Sequence, residues 1–461
     1  LIVTQKEKSM HVVIAGAGPA GFATAKWLND RGYQVTLLEK RDVPGGKVSA
    51  WRDPDGDWVE SGLHVFFGAY HNLLDFLAEV DLADSFDWKP AEMIFALKGG
   101  KYASIEFVEG LPAPLNGLMG VAKSELMTWG EKLRMGRGLI KPIFGSQAYL
   151  DQQANITYKE WHLANGMGQS TIDKVMDAMA LALNFQKCDT VSAKLVLTAL
   201  LHFAKETNAP KMGLVKGSPQ ERLWDPLMAR LQSKGVNIRF NSKVVDFLHD
   251  EAANKVNGVR LENGEEIHAD LVVSAMPVHS LRKVLPTSMR KHAVLDNLKY
   301  LKGQPVITVQ LHFDQFVTDV NNLIFSSGTH ISVYADLTRV SPDYHQGRGS
   351  IIELVVAPAE ELMRRSDAEV IDTVLAEFGE LHPLARTSKL LKSHVVRIPN
   401  SVYSARPGVE QYRPDQATPI TNFFLTGDYT QQEFMASIEG SIRSARRVIE
   451  RIDQAKANGI L

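Results

Sequence analysis

The chain holds a single cysteine, Cys188, among its 461 residues. One thiol forms no internal disulfide and no cysteine-rich metal cage, which fits a reducing compartment. An excess of one charge sign is also missing. Fifty-one Lys and Arg residues stand against 53 Asp and Glu, a formal net charge of −2. Bulk electrostatics therefore gives no case for a nucleic-acid partner. Long apolar runs are absent as well. The richest, "LVLTALLHFA" at 195–204, follows Lys194 and falls well short of the roughly 18–20 residues that span a bilayer. The opening "LIVTQKEKSM" lacks a charged-then-apolar leader pattern and an initiator Met, so a trimmed chain is expected. No zinc spacing, P-loop or Ser–His–Asp order occurs, and no metal site is expected.

What is present begins at residue 11. The length exceeds what one hydrophobic core usually serves, so two domains are expected. "HVVIAG" reads as a buried parallel strand that stops at glycine. Gly16, Gly18 and Gly21 follow with G-x-G-x-x-G spacing. In that pattern the first glycine makes the turn, the second admits a pyrophosphate, and the third lets a helix pack on the strand. "AGFATAKWLNDRG" reads as that helix, its N-terminus facing the phosphates. "YQVTLLEK" reads as a second strand ending at Glu39, where a ribose-binding acid belongs. An acid at this position favours FAD or NAD over NADP.

Past the second strand, Gly45, Gly46 and Lys47 continue the motif. Here the sequence resembles the flavin amine oxidase and carotenoid desaturase superfamily. Within it, "GGKVSAW", "GDWVESGLHVFFGAY", "LPAPLNG", "ALNF", "PAEE" and "GDYTQQEFMASIEG" resemble the plant- and cyanobacterial-type phytoene desaturases. The likeness runs from about residue 12 to 448. It implies an α/β fold: a discontinuous Rossmann-like FAD-binding domain from residues 10–90, 211–285 and 416–461, and an α+β substrate domain with a helical membrane-associated portion from 91–210 and 286–415. It implies non-covalent FAD, held by Gly16, Gly18, Ala20, Gly21, Glu39, Lys40, Gly45, Gly46, Lys47, His64, Val65, Tyr70, Val245, Gly427, Asp428 and Met435. Of these, the family places Asp428 by the ribityl–phosphate region, Met435 near the flavin and Val245 at the adenine. His64 and Tyr70 read as cofactor-positioning residues.

The local patterns agree with that frame. "NFFLTGD" reads as a strand and "MASIEGSIRSARRVIERI" as a helix. "VNGVRLENGEEIHA" reads as a hairpin with an Asn-Gly turn. Residues 111–148 carry Leu, Met, Trp and Ile at helical spacing, interleaved with Lys123, Lys132, Arg134, Arg137 and Lys141. By composition this is either a packed helix pair or a membrane-surface element; the resemblance favours monotopic attachment. "DAMALALNFQKCDTVSAKLVLTALLHFAK" reads as two helices lining a hydrophobic tunnel, with His202 where the family usually has the arginine of its quinone and herbicide site.

The resemblance implies desaturation of 15-cis-phytoene through phytofluene to a ζ-carotene, with electrons passed to a plastoquinone-type acceptor. The setting it implies is peripheral, on a plastid membrane or a cyanobacterial thylakoid or cytoplasmic membrane, as a possible homo-oligomer. No catalytic acid or base is assigned. The alternatives are ζ-carotene desaturation, amine oxidation, and a non-catalytic flavin-binding membrane scaffold.

Overall fold

Five short strands, His11–Ala15, Gln34–Leu38, Asn237–Arg239, Leu271–Ser274 and Phe423–Leu425, form one parallel sheet in a computed structural model describing residues 9–344, 349–434 and 436–461. In space the order is 237–239, 34–38, 11–15, 271–274, 423–425. Val13 pairs with Thr36 on one side and Val272 on the other. The central strand is covered on both faces, so its apolar run is continuous and not alternating. Helices Pro19–Asp30 and Ile438–Ala457 pack on each other against this sheet, and Phe22, Leu28, Ile442 and Val448 share its core with Val12 and Ile14. The expected hairpin closes at Asn263-Gly264, where Gly264 takes φ +87° between strands Lys255–Leu261 and Glu266–His268. Strand Val244–Asp250 completes it as a three-stranded antiparallel sheet.

A seven-stranded sheet makes up the other part. Its spatial order is 390–403, 303–313, 351–356, 331–336, 324–326, 92–97, 101–106. All neighbours are antiparallel except Ile324–Ser326, which runs parallel to Glu92–Leu97. Helix Asp367–Leu381 covers one face, setting Val370, Val374 and Phe378 in a core with Ile307, Leu311 and Tyr334. On the sheet's other side, helix Asp177–Asn184 meets strands 324–326 and 331–336 and packs with helix Ala193–Lys205 in a separate core.

The 111–148 region forms helices Leu115–Lys123 and Trp129–Phe144. Thr128 and Glu131 close a reciprocal capping box on the second of these, satisfying its first free N–H groups. Met135, Gly138 and Pro142 turn inward, whereas Trp129, Leu133, Ile140 and Phe144 turn outward.

The hairpin of Ala50–Arg52 and Trp58–Glu60 is tied to strand Leu390–Tyr403 by charge. Lys392 lies 2.7 Å from the Asp53 carboxylate and 2.6 Å from that of Asp57. Burial by itself raises the Asp53 pKa, but hydrogen bonds from Lys392 and from the Asp57 and Asp55 N–H groups outweigh it and hold it at about 2. The folded chain thus prefers the ionised form. This stabilisation is complete above the ordinary value of 3.8 and is lost as pH falls through about 2. Asp53→Asn is expected to flatten the acid limb of the unfolding curve in that window. An unchanged limb would count against the pairing.

Candidate active site

Where the first strand meets its helix, Gly16 takes φ +115°, a backbone region that favours glycine. A Cβ on Gly21 would lie 1.9 Å from the Gly16 carbonyl oxygen, so helix and turn touch backbone to backbone. From the other side, a Cβ on Gly46 would come 3.1 Å from the Gly18 Cα. Gly18 and Gly46 thus present bare main chain to a cavity of about 480 Å³. Gly18 is also the N-cap of helix Pro19–Asp30 and gives it no side-chain cap, which leaves the helix's first N–H groups for an anion.

Glu39 ends the second strand and is buried. Its carboxylate accepts the Ala17 N–H at 3.0 Å and the Arg41 N–H at 3.1 Å. Those bonds fix the acid at the cavity wall and leave acceptor capacity for a ribose diol. Glu39 and Lys40 also line an adjoining space of about 450 Å³, together with Ser242, Val244 and Val245. Across the main cavity, Asp428 receives the Lys47 ammonium at 2.9 Å, joining the GGK turn to the C-terminal motif. Gly427 beside it has φ +133° and donates its N–H to Ser444. A glycine-lined wall, a free helix terminus and an acid between two joined spaces fit a dinucleotide.

The expected residues do not all face this cavity. Gly16, Gly18, Ala20, Glu39, Lys40, Gly46, Lys47, His64, Gly427 and Asp428 line it. Gly45 and Gly21 instead serve packing: a Cβ on Gly45 would lie 2.3 Å from the Trp224 indole nitrogen. Val65 and Tyr70 line a neighbouring apolar cavity of about 210 Å³, and burial, with Glu439 nearby, raises the Tyr70 pKa. Met435 lies outside the described residues. Arg41, Ser61 and His279 line the nucleotide cavity without having been singled out in the sequence. Burial, followed by the charges of Lys47, Lys40 and Lys283, lowers the His279 pKa to about 4. Arg41, with Lys40 and Lys47, suits a diphosphate, and the neutral His279 adds a hydrogen-bonding group; the sequence signal for Arg41 and His279 was only their proximity to the second and fourth strands of the parallel sheet.

The apolar cavity opens from the nucleotide cavity, sharing Leu63, His64 and Phe185 with it. A third space of about 110 Å³ continues outward, sharing Met93, Phe107, Met179 and Phe203 with the second. Its outer wall is Leu118, Val121, Leu139 and Ile143, from the two amphipathic helices. An apolar path thus runs from the nucleotide site to the helices with the exposed apolar face. His202 lines none of these three spaces. Its ring stacks on Phe434 with centroids 4.8 Å apart, and burial lowers its pKa, favouring the neutral form.

A nucleotide-binding parallel sheet joined to an apolar path defines the class: a redox enzyme that brings an apolar substrate to a dinucleotide cofactor. The pattern of the flavin-containing amine oxidoreductases matches residues 19–453, and the chain belongs to that family as an FAD-dependent oxidoreductase. It is 40% identical to a 15-cis-phytoene desaturase of Synechococcus elongatus, over 96% of this chain and 97% of that one. It is 41% identical to the chloroplastic/chromoplastic 15-cis-phytoene desaturase of Solanum lycopersicum, over 97% and 78%. A probable zeta-carotene desaturase of Synechococcus elongatus is 32% identical over 97% and 99%. Among solved structures, an oxidoreductase from Methanosarcina mazei superposes with TM-score 0.74 at 18% identity, covering 96% of this chain and all of that one. That likeness shows the fold.

Proposed function

We propose that the chain desaturates 15-cis-phytoene by way of phytofluene to a ζ-carotene, using FAD. The observation that carries this reading is the apolar path from the cofactor cavity to the amphipathic helices. A long hydrocarbon has no polar groups to anchor it, so an enclosed apolar channel is its natural site. Identity of 40% to phytoene desaturases against 32% to a probable zeta-carotene desaturase supports phytoene over ζ-carotene. When bound, FAD supplies the two-electron oxidation by accepting a hydride from the substrate. The chain's residues do the rest. Glu39, Lys47 and Asp428 hold the cofactor's polar end, and Leu63, Phe185 and Val355 border both cavities and keep water from the reacting carbons. The sole cysteine, Cys188, is buried and does not line the cofactor cavity, which supports non-covalent binding.

The same proposal assigns residues 10–90, 211–285 and 416–461 to cofactor binding and 91–210 and 286–415 to the substrate; membership of the parallel and seven-stranded sheets supports it. The electron acceptor is a membrane quinone of plastoquinone type, at a plastid or cyanobacterial membrane. Attachment is peripheral, as no helix among the described residues is long and apolar enough to cross a membrane. Trp129 and Phe144 are 68% and 77% exposed, with Leu133 and Ile140 on the same side of the helix. Exposed Lys123, Arg134, Arg137 and Lys141 flank them, an arrangement suited to an anionic interface. Replacing Trp129, Leu133 and Phe144 together by serine is expected to release the chain from anionic liposomes in flotation while flavin content stays constant. Undiminished flotation would remove this face from the proposal.

The defining experiment incubates the purified chain with phytoene in liposomes and a quinone, followed by chromatography of the polyenes. Phytoene should disappear as phytofluene and ζ-carotene form. Consumption of ζ-carotene with phytoene untouched would overturn the reading, as would the absence of FAD after heat release.

A further inference from the structure

Beside the cofactor cavity lies a pair of buried acids that the scheme above leaves unused. Glu60 ends strand Trp58–Glu60, and Glu353 lies in strand Ile351–Val356 two positions from Val355, which lines the cavity. Alternation puts Glu353 and Val355 on one face of the sheet. Glu353 is fully buried, and no cation pairs with either of its oxygens among the described residues. Burial, reinforced by nearby Glu60, raises its pKa well above the usual carboxylate range, with only the Gln310 amide opposing. An ionised carboxylate there would cost several kcal/mol, on the order known for buried unpaired charges, so Glu353 holds a proton.

Glu60, whose charge acts on Glu353, also reaches toward the cavity. One of its oxygens accepts the Tyr344 hydroxyl at 2.6 Å, and the other lies 3.6 Å from His64 Nδ1. His64 Nε2 is 2.9 Å from the Lys47 carbonyl oxygen, which can only accept, so Nε2 carries a hydrogen. Nδ1 is buried and has no hydrogen-bond partner. Nδ1 is thus the free acceptor of the ring, with the Glu60 carboxylate 3.6 Å away. His64 borders both the cofactor cavity and the apolar one. At the far end, Tyr344 lines a polar cavity of about 110 Å³ with Asp57, His312 and the exposed Arg52, Glu221 and Asp343.

We infer that His64, Glu60 and Glu353 form a proton store for the cofactor cavity, linked to solvent through Tyr344. The inference rests on the desaturase reading. One substrate C–H bond breaks with its electron pair, which leaves as hydride to the flavin. The neighbouring C–H bond breaks and its pair becomes the new π bond, while its proton passes through His64 Nδ1 to Glu60. When the quinone takes the two electrons, that proton and the hydride's hydrogen complete the quinol, so the store ends the cycle unchanged.

Infrared spectroscopy of the substrate-free, FAD-loaded chain tests the store without turnover. A protonated-carboxyl band should persist at neutral pH, shift in heavy water and lose intensity in Glu353→Gln; a band unchanged by that substitution, or absent from the unsubstituted chain, would overturn the inference. In turnover, Glu60→Gln is expected to slow phytoene consumption by about a hundredfold at unchanged flavin content, and Glu60→Asp to recover part of it. Turnover of Glu60→Gln at the unsubstituted rate would equally overturn it. An unsubstituted chain that shows the band and retains FAD yet leaves phytoene intact defeats the desaturase reading instead.

Discussion

A valine at Gly21 is expected to abolish flavin retention. Even a methyl group there would sit 1.9 Å from the Gly16 carbonyl oxygen. The turn has little room to yield, because Gly16 is itself confined: a Cβ built on it would lie 2.9 Å from the Ala275 carbonyl oxygen. Helix Pro19–Asp30 must then lift from the sheet, and its N-terminal N–H groups leave the phosphate position. Overpacking of this kind costs about 1–3 kcal/mol in ordinary cores, and here both partners are main chain, the least adaptable atoms available. The ratio of flavin to protein absorbance measures retention, and circular dichroism reports whether the helices persist. A variant with a full complement of flavin would contradict the packing described for this turn.

The second large effect is expected at the waist of the apolar path. Met179 borders the second and third cavities together with Met93, Phe107 and Phe203. Met179→Trp places an indole where the two spaces join. Flavin content should be unaffected, since Met179 does not line the cofactor cavity. Phytoene conversion should fall by at least about tenfold, equivalent to roughly 1.4 kcal/mol on the barrier. Conversion at the original rate would mean that the substrate reaches the cofactor by another route.

The parts of this site written in local patterns were readable from the sequence. The strand before Gly16, the helix after it and the acid at Glu39 are each set by neighbours within a few residues, and all are present. The Asn263-Gly264 turn and the final helix are local in the same sense. The seven-stranded sheet was not readable, because its pairings join distant segments: Ile324–Ser326 lies parallel to Glu92–Leu97, and no periodicity in either announces the other. The sorting of contacts within the GGK and GLHVFFGAY stretches was equally hidden. Gly45 and Gly46 are adjacent, yet one meets Trp224 and the other Gly18, a difference decided by a helix some 180 residues away. Glu353 gave no signal either, since a single acid within an apolar strand looks in sequence like any exposed alternate position.

The order of strands in the parallel sheet has a consequence for how the chain comes into being. The His11 main chain meets Asp270 across a separation of 259 residues, and the last strand of the sheet is Phe423–Leu425. The phosphate turn at Gly16 and Gly18 and the sequence-distant Asp428 form two sides of one cavity. A ribosome must therefore release the chain through Asp428 before the cofactor site can close. Until the later strands emerge, the first two lack their outer neighbours, and sheets assembled from such distant segments form slowly. Flavin added early has nothing complete to bind; added late, it locks the two distant segments together.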